Sequence, residues 1–362
     1  MTRSVRLPVP VERIAQLATL PLELGGTLRD VTVRGTLYGR PLGTAPVVVV
    51  EGGITANHQP FGDGREPGWW PSLLRRDLCD PARHTILAPA VLGNGSDWFE
   101  LRSAGGESAA PLPSLTPFDL AEAIERWLRA LECTQRVTFI GASVGGLVGL
   151  ALALRHPCRV HHLVTISASL RPDGWGTGIR HLQRELVRDG LMTGHVALAM
   201  RRARELGMLT YRGRAEINSR FGRLAPGQAM PPIASYLEHH GTRFAERFSA
   251  HRFLLLSEAI DRFHVGDTPT LRRAALRRIH GRVTVVGVPG DLLFPWEFQD
   301  ELHLELRAAG VASHLLRLES IFGHDAFLAD QDALATLLGR HGMMPQEGAD
   351  PPDALCDCSA RT

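Results

Sequence analysis

Three residues of the 362-residue chain could together activate an oxygen nucleophile. Ser143 lies in GASVGG, Gly141 to Gly146. Asp291 lies in VPGDLLFP and His324 in IFGHDAF. A serine hydroxyl is a poor nucleophile at neutral pH. It needs an adjacent base to take its proton, and the base needs a carboxylate to orient it. Serine, then an acid, then histidine is the chain order in which a strand–turn–helix nucleophile elbow is completed. The turn strains the serine backbone and brings strand and helix close, so its neighbours must be small, and Gly141, Gly145 and Gly146 meet that need. The oxyanion of an acyl-transfer intermediate needs two backbone N–H donors. Val144, after the nucleophile, supplies one. The glycine-containing loop EGGITANH supplies the other, through Ile54, with Gly53 as the alternative.

These residues must sit at strand ends, and the sequence provides such strands. Val47 to Glu51, Thr85 to Val91, Val137 to Ser143, His162 to Ser167, Val283 to Val288 and His314 to Leu318 are short, apolar and rich in β-branched residues. Continuous apolar character marks strands covered on both faces. Helix-like runs between them predict an α/β class with a mostly parallel, doubly wound sheet. One helix has a complete start signal, with Thr116 as cap, Pro117 in the first turn and Asp119 as capping partner. Leu120, Ile124, Trp127, Leu128 and Leu131 then share a face. The strongly apolar stretch from Gly145 to His156 reads as the helix after the elbow.

The rhythm breaks between Leu170 and Ile279, which reads as an inserted helical lid. The expected organisation is a core over residues 1–169, a lid over 170–279, the rest of the core over 280–345 and a disordered tail over 346–362. Within the lid Arg272, Arg273, Arg277 and Arg278 are expected to form one solvated face.

Composition excludes several function classes. The chain has no lysine, which removes Schiff-base and phosphate-loop lysine chemistry. Cys79, Cys133, Cys158, Cys356 and Cys358 show no metal-ligand spacing, so no metal site is expected. The net charge is +2, but residues 170–279 hold 19 Arg against 10 acidic residues. That basic stretch lacks the aromatic interleaving of a nucleic-acid module, so no nucleic-acid partner is expected. The longest apolar run is too short to span a membrane. The N-terminus does not read as a signal peptide, and a cytoplasmic protein is expected.

With these residues in place, the sequence resembles the homoserine O-acyltransferase family of α/β hydrolases. The likeness runs from about Leu24 to Leu338. It rests on GGTL near Gly25, EPGWWPSLL from Glu66, GASVGG, LQREL from Leu182, LGMLTYRGRAEINSRFGR from Leu206, SYLEHHGTRF from Ser235, LLLSEAIDRFHV from Leu254, GDLLFP from Gly290 and GHDAFL from Gly323. Two features depart from the family pattern. Val144 stands where the family usually has Met, and a long loop ending G-S-T-G-P is reduced to VLGNGSDWFE, as in the compact branch often assigned to homoserine O-succinyltransferases.

The resemblance implies ping-pong transfer of an acyl group, from acetyl-CoA or succinyl-CoA through Ser143, to the side-chain hydroxyl of homoserine, in a homodimer without a cofactor. It implies that Arg184 holds the acceptor carboxylate and that Asp325 lies near its ammonium. Serine O-acylation is the alternative within the same design, because one methylene is worth only about 1–3 kcal/mol in a pocket. Carboxylester hydrolysis, with water as acceptor, is the alternative from another reaction class. A non-catalytic binding protein is the third reading, disfavoured by the intact triad.

Overall fold

The computed structural model describes residues 9–93, 113–224 and 229–342. The tail over 346–362, with Cys356 and Cys358, lies outside these residues, as does the shortened loop beyond Gly93.

One eight-stranded sheet organises the chain. Its strands are β1 (Val11–Pro21), β2 (Thr27–Gly39), β3 (Val47–Glu51), β4 (Thr85–Pro89), β5 (Val137–Ala142), β6 (Val160–Ile166), β7 (Arg282–Gly287) and β8 (Ser313–Arg317). Their spatial order is β1-β2-β4-β3-β5-β6-β7-β8. From β4 onward all neighbours are parallel, while β1–β2 and β2–β4 are antiparallel. All six expected strands are present. The β1–β2 hairpin is an addition, and its sequence conceals it. In β1 only Ala15 and Leu20 are buried, so an edge strand wetted along most of its length shows no continuous apolar run. Its tight connection holds Gly25 and Gly26 at φ of 93° and 85°, which side chains with a Cβ rarely adopt.

The central strands are buried on both faces. Val47, Val49, Val137 and Phe139 point into one core, and Val48, Val50, Ile140 and Ala142 into the other. The first core is closed by α1 (Pro117–Ala130), α2 (Val144–Arg155) and α9 (Trp296–Ala308), and the second by α10 (Gln331–Arg340) and the turn at Pro71–Leu73. The α1 capping box forms as expected. The Asp119 backbone N–H donates to Thr116 Oγ1, and the Thr116 backbone N–H donates to Asp119 Oδ2. Every residue of α2 from Val144 to Leu154 is buried, and a buried Leu or Val side chain contributes about 1.5–3 kcal/mol. Despite that apolar helix, no helix among the described residues is long and apolar enough to cross a membrane.

A buried ion pair clamps α1 to the chain entering β6. Arg159, 1% exposed, donates to both Glu125 carboxylate oxygens at 2.6 and 2.9 Å, and to the Cys133 and Gln135 carbonyls. Burial alone would raise the Glu125 pKa, but the Arg159 hydrogen bonds and charge hold it below the usual carboxylate range. Removing Arg159 leaves the buried Glu125 carboxylate with only the largely exposed Arg129, 2.6 Å from its Oε1, as a cationic partner. Arg159→Met is therefore expected to cost about 3–5 kcal/mol in urea denaturation, and Arg159→Met combined with Glu125→Leu to recover most of that loss. A double variant no more stable than the single one would show that shape, and not charge, governs this junction.

The stretch from 170 to 279 holds α3 (Gly174–Thr193), α4 (Val196–Tyr211), α5 (Arg214–Arg220), α6 (Pro232–Arg247), α7 (Ala250–Asp261) and α8 (Pro269–Leu276). Helices α3, α4 and α7 reach over the C-terminal ends of the central strands. Helix α8 instead lies beside α9, tied to it by Arg273 and Glu305 at 3.0 Å. The expected solvated arginine face is corrected here. Arg277 and Arg278 are exposed, but Arg272 is 8% exposed and lies 3.8 Å from Glu301. Helix α8 packs on α9 along the side that carries Arg272, which turns this arginine inward.

Candidate active site

Strand β5 ends at Ala142 and α2 begins at Val144, so Ser143 occupies the single residue between them. Its backbone has φ 56° and ψ −119°, and its N–H donates to the Ile166 carbonyl at 2.8 Å. A non-glycine residue in this region costs of order 1–3 kcal/mol and persists only when its surroundings hold it there. The flanking glycines allow that. A Cβ on Gly141 would fall 2.2 Å from the Gly145 carbonyl oxygen, and one on Gly145 would fall 2.5 Å from the Glu51 carbonyl oxygen.

Two strand-end loops deliver the other groups. The loop after β7 carries Asp291, whose Oδ1 accepts the backbone N–H groups of Leu293 and Phe294 at 2.8 and 2.9 Å. That leaves Oδ2 for His324 Nδ1 at 2.8 Å. His324 Nε2 lies 3.0 Å from Ser143 Oγ. The loop after β8 carries His324, whose ring stacks on Phe294 and meets Phe327 edge-on. The Trp70 indole N–H donates to the Phe327 carbonyl, tying the histidine loop to EPGWWPSLL. Ser143, Asp291 and His324 are 8%, 3% and 5% exposed, so the whole chain of groups is largely withdrawn from water.

Gly53 and Ile54 stand on the wall of the cavity that opens over Ser143. The Gly145 N–H donates to the Gly52 carbonyl at 2.9 Å, which fixes this loop against the elbow. Val144 is the first residue of α2, where a backbone N–H has no acceptor within the helix. Glu51, just before the loop, is buried, and burial pushes its pKa well above the usual carboxylate range. Burial thus disfavours a negative charge on Glu51 beside the oxyanion region. Sequence reasoning passed over Glu51, although a carboxylate closing an apolar strand was the available signal.

Known proteins resemble this chain in sequence and in fold. The model of the alpha/beta hydrolase fold family matches residues 46–296. A serine O-succinyltransferase of Frateuria aurantia is 32% identical over 88% of this chain and 95% of its own length. A homoserine O-acetyltransferase of Symbiobacterium thermophilum is 30% identical over 89% and 94%. The chain belongs to the homoserine O-acyltransferase family of α/β hydrolases. Among solved structures, homoserine O-acetyltransferase from Bacillus anthracis superposes with a TM-score of 0.81 at 16% identity, covering 92% of this chain and 97% of that one. Esterase E22 superposes with 0.82, also at 16% identity, covering 93% and 100%. At that identity both show the shared fold alone.

The charged residues of this O-acyltransferase depart from the family-based expectation in one respect. Arg184 is not on the cavity wall. Its Nη1 lies 2.7 Å from Asp261 Oδ2 and donates to the Ser257 carbonyl and hydroxyl at 3.2 and 3.1 Å. Arg180, one turn earlier on α3, lines the cavity together with Ser143 and His324. Its Nε donates to Asp261 Oδ1 at 2.6 Å. Both arginines therefore share one carboxylate, with Arg184 behind and Arg180 in front. Arg184 lies one turn further along α3 and is held by Ser257 as well as Asp261 of α7, contacts that keep it off the cavity wall. Spacing i and i+4 puts both residues on one helix face. It does not say which reaches the cavity. Asp325 does line the cavity, but Arg212 Nε lies 3.1 Å from its Oδ2. Sequence reasoning also missed Arg204 and Tyr211 as wall residues, although both fall in or beside a block that it quoted.

Proposed function

We propose that this O-acyltransferase takes its acyl group from a coenzyme A thioester and passes it to the side-chain hydroxyl of homoserine. The observation that carries the reading is Arg180 on the wall of the cavity that Ser143 and His324 also line, with Asp291 behind His324. A water acceptor needs no such cation, whereas an amino-acid acceptor brings a carboxylate that must be paired when buried. The relatives named serine O-succinyltransferases favour serine as a second reading for the acceptor.

In the first half-reaction Ser143 Oγ attacks the thioester carbon while His324 Nε2 takes its proton. The oxyanion is held by the N–H groups of Val144 and of Ile54. The C–S bond then breaks, and the proton leaves with the thiol. In the second, the acceptor hydroxyl gives its proton to His324 and attacks the acyl-serine ester, which restores Ser143. Arg180 holds the acceptor carboxylate, with Asp261 and Arg184 fixing its guanidinium from behind. Asp325, shared with Arg212, faces the ammonium. Exposed Leu182, Met192 and Leu198 on α3 and α4 support assembly with a second copy. A coenzyme A thioester as donor supports a cytoplasmic reaction.

The two half-reactions separate the residues. Arg180→Ala is expected to leave acylation of Ser143 by acyl-CoA within about tenfold of normal and to lower transfer to homoserine or serine by about 10²-fold or more. Arg184→Ala, which removes only the support, is expected to cost less than Arg180→Ala. Equal transfer by Arg180→Ala and the unaltered protein would overturn the amino-acid acceptor. A larger loss in Arg184→Ala would return the carboxylate to Arg184.

A further inference from the structure

Helix α9 turns a narrow buried face inward, made by Gln299, Leu302 and Leu306. Gln299 is the polar member of that face, and it is 0% exposed. A buried amide needs partners for both of its groups. Gln299 Nε2 donates to the Phe294 carbonyl at 3.3 Å, and Oε1 accepts the Ala168 backbone N–H at 3.4 Å. These partners fix which end of the amide is which, since a carbonyl only accepts and an N–H only donates. The end of β7 makes room for the side chain, where a Cβ on Gly287 would fall 2.6 Å from Gln299 Cγ. Ala168 and Phe294 lie on the two sides of the reacting groups. Ala168 packs on the elbow, where a Cβ on Gly146 would fall 2.9 Å from the Ala168 Cβ. Two residues before it, the Ile166 carbonyl accepts the Ser143 N–H. Phe294 belongs to the loop that carries Asp291. Its N–H donates to Asp291 Oδ1, and its ring stacks on His324 with centres 5.4 Å apart. The next residue, Pro295, has no N–H with which to tie that loop down.

We infer that Gln299 is a positioning residue: by joining the end of β6 to the Asp291 loop, it sets where Asp291 and the Phe294 ring hold His324 relative to Ser143. This role rests on the acylation of Ser143 proposed above. Phe294 is pinned at both of its backbone groups, by Asp291 at the N–H and by Gln299 at the carbonyl. Without the amide, a buried carbonyl and a buried N–H lose their partners, and the loop shifts to regain them. Asp291 shifts with it, because its Oδ1 is bound to Leu293 and Phe294 of the same loop. Proton transfer tolerates little of this, since a misplacement of ~1 Å at reacting groups costs about 10²-fold. The other groups that face His324 are held independently of Gln299. Asp325 lies on the histidine's own loop and is paired with Arg212, Arg180 comes from α3, and the Tyr211 ring comes from α4. A His324 ring less closely paired with Asp291 keeps its burial and loses part of the charge that raises its pKa, so its titration moves to lower pH.

The test follows the His324 ring by NMR titration in the unaltered full chain and in Gln299→Met, with His324→Asn to assign the signal. Thiol release from acetyl-CoA and from succinyl-CoA, without acceptor, is measured on the same proteins. Gln299→Met should move the His324 titration to lower pH and lower the acylation rate constant by about 10-fold to 10²-fold, with KM for the thioester within about threefold of normal. Gln299→Asn, whose amide is one methylene too short to span both partners, should move both readouts in the same direction and serves if the methionine variant does not fold. Leu302→Ala truncates a buried neighbour on the same helix face. It should lower the urea midpoint and leave the titration in place. A titration or an acylation rate that Gln299→Met leaves unmoved, or a titration that Leu302→Ala moves as far, overturns the inference. If neither thioester acylates Ser143 while Gln299→Met still moves the titration, the acyl-CoA reading falls and the positioning of His324 by Gln299 stands.

Discussion

Ser143→Ala is expected to lower acyl transfer by about 10³-fold or more and to leave no acyl group on the protein after incubation with acyl-CoA. The loss is large because the substitution removes the atom that carries the covalent intermediate. The proposed oxyanion donors, Val144 and Ile54, and the proposed acceptor site remain, so whatever turnover survives measures those elements alone. Alanine is the conservative test, since Ser143 sits at φ 56° and its Oγ is hydrogen-bonded to His324. The backbone strain is unchanged, and a Cβ is already tolerated there. Stability should therefore move little, and a urea titration alongside the assay separates lost chemistry from lost fold. An acyl adduct found elsewhere, with near-normal turnover, would remove Ser143 from the mechanism.

Asp291→Asn is expected to lower the acylation rate by about 10⁴-fold and to move its pH dependence. Asp291 accepts from His324 Nδ1, which leaves Nε2 unprotonated and directed at Ser143 Oγ. An asparagine can present its NH₂ to Nδ1 and stabilise the opposite tautomer. The pH effect has a definite sign. Burial by itself lowers the His324 pKa. The Asp291 charge and hydrogen bond, with a contribution from Asp325, outweigh it, so the net shift is upward from the ordinary histidine value. The base must be neutral to act. In the unaltered protein the acylation rate should rise with pH along a limb centred above that ordinary value. In Asp291→Asn the larger raising charge is gone while the burial and the smaller Asp325 contribution stay, so the limb should move to lower pH. A rate profile of the free enzyme checks this. A limb that stays in place would mean that the group titrating in the profile is not His324.

Much of this site is legible in the linear sequence because each member belongs to a short segment with its own signal. The elbow needs glycines at fixed offsets from Ser143, and the strands that end at Ala142, Gly287 and Arg317 advertise themselves as apolar runs. The capping box at Thr116 and Asp119 is equally local, and it forms as its residue types require. The β1–β2 hairpin was not legible for the converse reason. A wetted edge strand is shaped by its partner through backbone hydrogen bonds, which any side-chain pattern of modest β propensity can supply.

The sequence by itself named Ser143, His324 and Asp291 as one constellation, and the fold brings them within hydrogen-bonding distance. In a parallel sheet, strand ends that follow one another in a known order must converge on one edge. Only the tertiary structure decided the fate of the arginines. Arg180 and Arg184 look alike on their helix, and 81 residues separate Arg180 from the Asp261 that holds it. Arg272 belongs to what looks like a solvated run and is buried, while Arg204 is half-buried and has no acidic partner among the described residues, unlike its neighbours. The charge and geometry of a guanidinium are the same everywhere in the sequence. What it does depends on which carboxylate or ring a distant helix brings within about 4 Å, and that is set by how helices pack, not by local pattern.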